Sequence, residues 1–152
     1  MDDLTRTSRR LLFYDELERY QEVIAGLTRF LGEHPENEHA LSNRGLAYLE
    51  LGMAVEAKAD LDEAVRVATN NPVPYRNRSE LREKMGDQQG AIADLSSAIA
   101  IAPEDRTIYV QRAYRYAALG MAPEALADLD MAVKLGLDSR REAMLRSNIG
   151  AA

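Results

Sequence analysis

The sequence repeats itself at a spacing of 34 residues. Residues 42–52, 76–86 and 110–120 align in register, each with an arginine at the third position and a glycine at the last. A second set of segments at the same spacing carries an alanine at positions 57, 91 and 125. Such a period is typical of proteins that stack one small structural unit along an array, because a single unit cannot bury its apolar surface alone.

Each half of a repeat has the apolar spacing of an α-helix. Leu41, Gly45 and Tyr48 share one helical face in a first half, and Leu61 and Ala64 share another in the second half that follows. Glycines at 52, 86 and 120 are expected to end the first helices. Prolines at 35, 72 and 103 lie near the repeat boundaries, where the second helices must stop. The pattern predicts an all-α chain of helix-turn-helix units.

Several positions of the period together resemble the tetratricopeptide repeat family. They are a small residue at the eighth position, tyrosine at the eleventh, alanine at the twentieth and twenty-seventh, and proline at the thirty-second. The resemblance implies a right-handed α-solenoid that forms one domain over residues 1–152. Four repeats are placed at 4–37, 38–71, 72–105 and 106–139, and residues 140–150 form a capping helix. Nine helices are therefore expected, and repeat 1 is the most degenerate.

Composition excludes several kinds of chemistry. The 152 residues include no cysteine, so thiol catalysis and iron–sulfur clusters are excluded. The net charge of −6 lacks the basic footprint of nucleic-acid binders, and no apolar run is long enough to cross a membrane. His34 and His39 are five residues apart and are interpreted as solvated loop residues rather than metal ligands. No phosphate loop or catalytic constellation is recognised. We therefore expect no enzyme activity, no cofactor and no metal.

An arginine column is the most informative polar pattern. Arginine occurs at 10, 44, 78, 112 and 146, and aspartate recurs at 60, 94 and 128. Repeat 1 has Gly26 in the aspartate column. Because an unpaired buried charge is costly, we expect structural arginine–aspartate pairs. The spacing leaves open whether each aspartate pairs with the arginine of its own repeat or with that of the next.

The family resemblance implies that the first helices line a concave binding groove. On this basis the predicted partner site consists of Asn43, Leu46, Arg76, Asn77, Glu80, Gln111 and Tyr114. Further groove positions are expected at Ser8, Arg9, Leu12, His39, Ser42, Leu49, Glu83, Lys84, Val110 and Ala117. Amide side chains suit an extended peptide because they both donate and accept hydrogen bonds. Solvated helix residues without a binding role are the alternative interpretation.

One subclass of the family binds the C-terminal carboxylate of heat-shock chaperones through lysine, arginine and asparagine. Asn43 fits the position in the second repeat. The first-repeat positions, for lysine and asparagine, hold Ser8 and Leu12, and the third-repeat positions, for lysine and arginine, hold Val73 and Asn77. A shift by one repeat does not supply the cations either. The resemblance therefore does not extend to this chaperone-binding activity.

Two functional hypotheses follow. The first is a non-enzymatic, cytoplasmic interaction module that binds a peptide or protein partner in the concave groove and binds neither nucleic acid nor membrane. The second is a chaperone-like or regulatory protein that forms a homodimer or larger oligomer through an apolar N-terminal edge. That edge contains Leu11, Leu12, Phe13 and Tyr14.

Overall fold

The computed structural model describes the backbone of residues 3–150 and the side chains of residues 16–149. These residues form eight α-helices and no strand. The helices are α1 (Asp3–Glu33), α2 (Glu38–Glu50), α3 (Ala54–Val67), α4 (Val73–Lys84), α5 (Gln88–Ile101), α6 (Arg106–Ala118), α7 (Ala122–Lys134) and α8 (Ser139–Gly150). The all-α helical-repeat fold is thereby confirmed for the part of the chain that the structure describes.

The first repeat differs from the expected helix pair. α1 is one continuous helix of 31 residues, about 46 Å long at 1.5 Å per residue, so the prediction of nine helices is wrong. The cause lies at the position of the turn. Repeats 2 to 4 place a glycine there, whereas repeat 1 has Glu18, for which the left-handed conformation is unfavourable. The helix therefore continues through the predicted turn.

Glycine ends the first helix of each later repeat. Gly52, Gly86 and Gly120 have φ angles of 73°, 80° and 70°. The backbone amide after the glycine donates a hydrogen bond to the carbonyl oxygen five residues before it. Met53 N donates to Tyr48 O at 2.9 Å, and Asp87 N donates to Arg82 O at 2.8 Å. This is the Schellman arrangement, which satisfies carbonyls that the helix end would otherwise leave unpaired.

Side-chain caps begin several of the helices. Asn37 accepts a hydrogen bond from the amide of Ala40 at 2.9 Å at the start of α2. Asp87 accepts from Gly90 N at 2.8 Å at the start of α5. Asp105 accepts from the backbone amide two residues farther along the chain, at 2.9 Å, at the start of α6. Such caps satisfy amides that have no partner inside the helix.

The chain divides into two compact units after Val67. The first unit contains α1, α2 and α3, and α2 packs closely on α3. Gly45 makes this close approach possible, since a Cβ atom there would lie 2.7 Å from Cγ of Leu61. Leu61 and Ala57 are fully buried at this contact. Apolar packing between the paired helices therefore supplies the core of the first unit.

The second unit contains α4 to α8, and each of these helices packs on the next along the chain. Its core includes Leu95, Ile108 and Leu129, which are at most 1% exposed. α8 covers the end of this unit by burying Leu145 and Ile149 against α7 and its neighbours. The helices of this unit carry most of the residues predicted to bind a partner.

Candidate partner-binding face

The two units carry separate parts of the predicted site. In the first unit, Asn43 is exposed on α2 and Leu46 is partly buried. In the second unit, the predicted residues lie on α4 and α6. They are Arg76, Asn77, Glu80, Gln111 and Tyr114. All seven keep some exposure to solvent, as a binding surface requires. The residues of α4 and α6 are called the α4/α6 face below.

A polar contact joins the two helices of this face. Arg76 Nε donates to Gln111 Oε1 at 3.1 Å, and Arg76 Nη1 lies 3.5 Å from Asp105 Oδ2. Asp105 is itself the N-cap of α6, through its other carboxylate oxygen. Arg76 is therefore held between the beginning of α6 and a side chain farther along the same helix.

A second bridge lies nearer the C-terminal ends of the same two helices. Arg115 Nη1 forms an ion pair with Glu83 Oε1, and Lys84 lies 3.8 Å from Glu80 on α4. Arg115 is only 18% exposed, so its guanidinium is shielded by its surroundings. Sequence reasoning missed Arg115 and Asp105. The one signal for Asp105 in the sequence was its residue type, because aspartate is common directly before a helix, where it caps the first amides.

Some expected groove positions are buried. Ser42, Leu49 and Val110 are 1%, 7% and 5% exposed, so the expectation that they line the groove is wrong. Their helices turn these side chains into the packed interior, where the burial of apolar surface is favourable for Leu49 and Val110. Ser8, Arg9, Leu12 and the rest of the predicted N-terminal edge lie outside the residues whose side chains are described.

The arginine and aspartate columns pair within each repeat. Arg44 holds Asp60, Arg78 holds Asp94 and Arg112 holds Asp128, each through two N–H···O bonds of 2.6–3.0 Å. The three carboxylates are 2–7% exposed. The hydrogen bonds to Asp128 raise the pKa of Arg112 above its ordinary value, although burial acts in the opposite direction. Within the second unit, neither Asp94 nor Asp128 pairs with the column arginine of the next repeat.

The column arginines also contact the preceding helix. Arg44 Nη1 donates to Thr28 Oγ1 at 3.1 Å, and Arg112 Nη1 donates to Ser96 Oγ at 2.9 Å. Arg146 Nη2 donates at 2.5 Å to Asp130. Each acceptor lies 16 residues before its arginine. The three arginines therefore connect each helix to the one before it, and Arg44 and Arg112 also brace their own repeats.

Arg82 departs from the tyrosine found at this position in the other repeats. Its guanidinium turns toward α5, the second helix of its repeat. Arg82 Nη1 donates to Gly90 O at 2.8 Å and lies 3.2 Å from Asp94 Oδ2. The nearly buried carboxylate of Asp94 attracts a second cation because the low-dielectric surroundings strengthen the interaction.

Other candidate sites receive little support. Both histidines are exposed, and His34 lies in a loop as predicted, but His39 lies in the first turn of α2, so the loop interpretation is wrong for His39. Met53 and Met85 are 37% and 57% exposed, so neither side chain fills a gap in the core. Among the described residues, no group of three or more potential ligands could hold a metal ion, and no helix is long and apolar enough to cross a membrane.

Comparison with known proteins shows the fold. No protein-family model matches the sequence, and no curated protein matches it. Among solved structures, MamA is similar with a TM-score of 0.73 at 20% identity, over 99% of this chain and 90% of that one. YrrB, described as a TPR protein with an unusual peptide-binding site, has a TM-score of 0.69 at 21% identity, over 94% and 72%. The first TPR of Spaghetti (RPAP3), bound to the HSP90 peptide SRMEEVD, has a TM-score of 0.68 at 21% identity, over 75% and 90%.

Proposed function

Because this chain has the tetratricopeptide-repeat fold, we propose that it is a non-enzymatic interaction module that binds a peptide or protein partner. Two solved structures of this fold, YrrB and the first TPR of RPAP3, are described as having a peptide-binding site or a bound peptide. The α4/α6 face is the proposed binding surface of the second unit. On α2 of the first unit, Asn43 and Leu46 are the proposed contact residues.

The observation that carries the proposal is an exposed aromatic residue beside amides on a braced surface. The side chain of Tyr114 is 40% exposed. A tyrosine ring buries a large apolar area when a partner covers it. Asn77 and Gln111 occupy the same repeat position on α4 and α6, and both are accessible to solvent. Tyrosine is enriched among the residues that dominate binding energy, and amides suit the backbone of an extended peptide.

The charges of this face are paired among themselves. Arg76 faces Asp105, Arg115 faces Glu83, and Lys84 faces Glu80. A surface with balanced charge does not depend on long-range attraction to recruit its partner. We therefore propose a partner without strong net charge, whose affinity changes only modestly with salt concentration.

The test is a double substitution on the α4/α6 face. Affinity capture followed by mass spectrometry would supply the partner, and calorimetry would measure its binding. Asn77→Ala with Tyr114→Ala is expected to weaken binding by at least about 2 kcal/mol while the thermal midpoint stays nearly unchanged. The control pair Gln89→Ala with Met144→Ala changes an exposed amide and an exposed apolar side chain on α5 and α8 and should leave affinity unchanged. Equal affinities in the two double variants would place the binding surface elsewhere.

A second candidate function is self-association through α1. Val23 and Phe30 are 46% and 43% exposed on this helix, and a second copy of the chain packed there would remove their apolar surface from water. Light scattering coupled to size-exclusion chromatography would measure the mass directly. A monomer at all concentrations would remove this candidate, whereas a dimer that dissociates in Val23→Asp would support it.

A further inference from the structure

The contact between Arg76 and Gln111 determines which end of the Gln111 amide faces outward. A guanidinium group has N–H donors and no acceptor, so the atom that it meets must be the amide oxygen. Arg76 Nε donates to that oxygen at 3.1 Å. The NH₂ group of Gln111 therefore points away from Arg76, and it makes no hydrogen bond to the described residues.

Arg76 is itself held in place. Its Nη1 lies 3.5 Å from Asp105 Oδ2, while Oδ1 of the same carboxylate accepts the amide hydrogen bond that caps α6. Its side chain is 28% exposed, so solvent competes only partly for the guanidinium. The cap of α6, Arg76 and Gln111 thus form a connected set in which each member restricts the next. The Glu83–Arg115 ion pair joins the same two helices nearer their C-terminal ends.

From this arrangement we infer that Gln111 is a dedicated hydrogen-bond donor of the α4/α6 face and that Arg76 is its positioning residue. The inference rests on the proposed function and specifies the chemistry of recognition. The partner presents a hydrogen-bond acceptor to Gln111, namely a carbonyl oxygen of an extended peptide segment. A freely rotating amide accepts and donates equally well, whereas an oriented one discriminates between the two and loses less entropy on binding.

Gln111→Glu tests whether the face needs a hydrogen-bond donor at this position or only a polar side chain. The new carboxylate keeps the shape of the side chain and accepts from Arg76 as a charge-assisted hydrogen bond, so the fold is expected to be retained. It has no N–H group to offer a peptide carbonyl. The matched control is Gln89→Glu, which makes the same chemical change at an exposed position of α5.

The experiment uses the full chain and a peptide selected from a displayed library of short random sequences. We expect Gln111→Glu to weaken the selected peptide by about tenfold or more, which is the effect of one lost hydrogen bond with an unpaired acceptor left behind. Gln89→Glu should leave the affinity unchanged. If Gln111→Glu binds the peptide as tightly as the parent protein does while Tyr114→Ala binds it more weakly, the inference is overturned and the proposed function stands. Unchanged affinity in Tyr114→Ala as well would overturn both.

A second measurement tests the positioning role without any ligand. The side-chain amide of Gln111 gives a pair of proton signals in a ¹H–¹⁵N NMR spectrum. Arg76→Met should shift these signals and bring them close to those of the exposed Gln89, because the amide then rotates freely. Gln111 signals that are the same in Arg76→Met and the parent protein would overturn the assignment of Arg76 as a positioning residue.

Discussion

Arg112 and Asp128 face each other in a two-pronged ion pair near the core of the second unit. Arg112 Nε and Nη2 donate to the two carboxylate oxygens at 2.8 Å and 2.7 Å. The side chain of Asp128 is 7% exposed and that of Arg112 is 19% exposed. The rings of Tyr109 and Tyr116 lie 6.0 Å and 5.7 Å from the guanidinium carbon. Such a pair has lost much of its hydration, so each partner depends on the other.

Replacing Asp128 should therefore destabilise the protein strongly. Asp128→Ala strands a largely buried guanidinium, and we expect a loss of about 3–5 kcal/mol in the free energy of unfolding. Asp130→Ala is the matched control, because Asp130 lies two residues away on α7 and pairs with Arg146 while 57% exposed. It should cost only about 0–1 kcal/mol. Denaturant unfolding measures both values, and equal losses would contradict a structural role specific to the buried aspartates at 60, 94 and 128.

The contact from Arg112 to the preceding helix should also be measurable. Ser96 Oγ accepts from Arg112 Nη1 at 2.9 Å, and Ser96→Ala removes this acceptor. We expect a loss of about 1–2 kcal/mol, as for a hydrogen bond to a charged group in a partly buried site. The neighbouring Ser97 bonds only to the carbonyl of its own helix, so Ser97→Ala should cost much less. Equal thermal midpoints in the two variants would show that the hydrogen bond from Arg112 to Ser96 does not stabilise the packing of these helices.

Two glycine-to-alanine changes should have opposite signs. Gly86 has a φ of 80°, where a side chain is unfavourable, so Gly86→Ala should destabilise the protein by about 1–2 kcal/mol. Gly26 lies inside α1 with no atom near its missing Cβ. Gly26→Ala should stabilise by about 0.5–1 kcal/mol because alanine favours the helix and restricts the unfolded chain. Calorimetry measures the thermal midpoints of the two variants, and shifts of the same sign would contradict the prediction.

α4 is expected to be the least protected first helix. It buries only Pro74, Ser79 and Leu81, whereas α2 buries six of its residues. Local opening is easiest where the fewest apolar side chains are packed. Native-state hydrogen exchange should show faster exchange in residues 75–85 than in α2. If residues 75–85 were the best protected segment, this ranking of the helices would be wrong.

The Glu63–Arg66 pair gives a prediction on pH. Arg66 donates to both carboxylate oxygens of Glu63, at 2.7 Å and 2.6 Å, and lowers the pKa of Glu63 below its ordinary value. Because the folded state has the lower pKa, the stabilisation is present above about pH 4.5 and disappears as the pH falls through the folded pKa. NMR titration should find the lowered pKa in the parent protein and a return toward the ordinary value in Arg66→Gln. An identical titration of Glu63 in both proteins would contradict the assignment.

Much of the architecture was predictable from the repeat. Apolar residues at helical spacing and glycines at a constant interval are local signals, and they correctly indicated the helices of repeats 2 to 4. The same reasoning applied to repeat 1 failed because it relied on the period and overlooked Glu18. A turn of this kind needs a residue that tolerates positive φ, and glutamate does not supply one.

The sequence by itself determined the helical repeat and the existence of a charged column, because both depend on which residues recur at a constant spacing. Only the tertiary structure decided that Asp94 belongs to Arg78 and that Arg82 turns inward to the same carboxylate. It also decided that Arg76 meets Gln111, 35 residues away along the chain. The physical reason is that the spacing of residues in the sequence allows several possible partners for a long, flexible side chain. Helix packing, burial and the cost of an unpaired charge then select one of them.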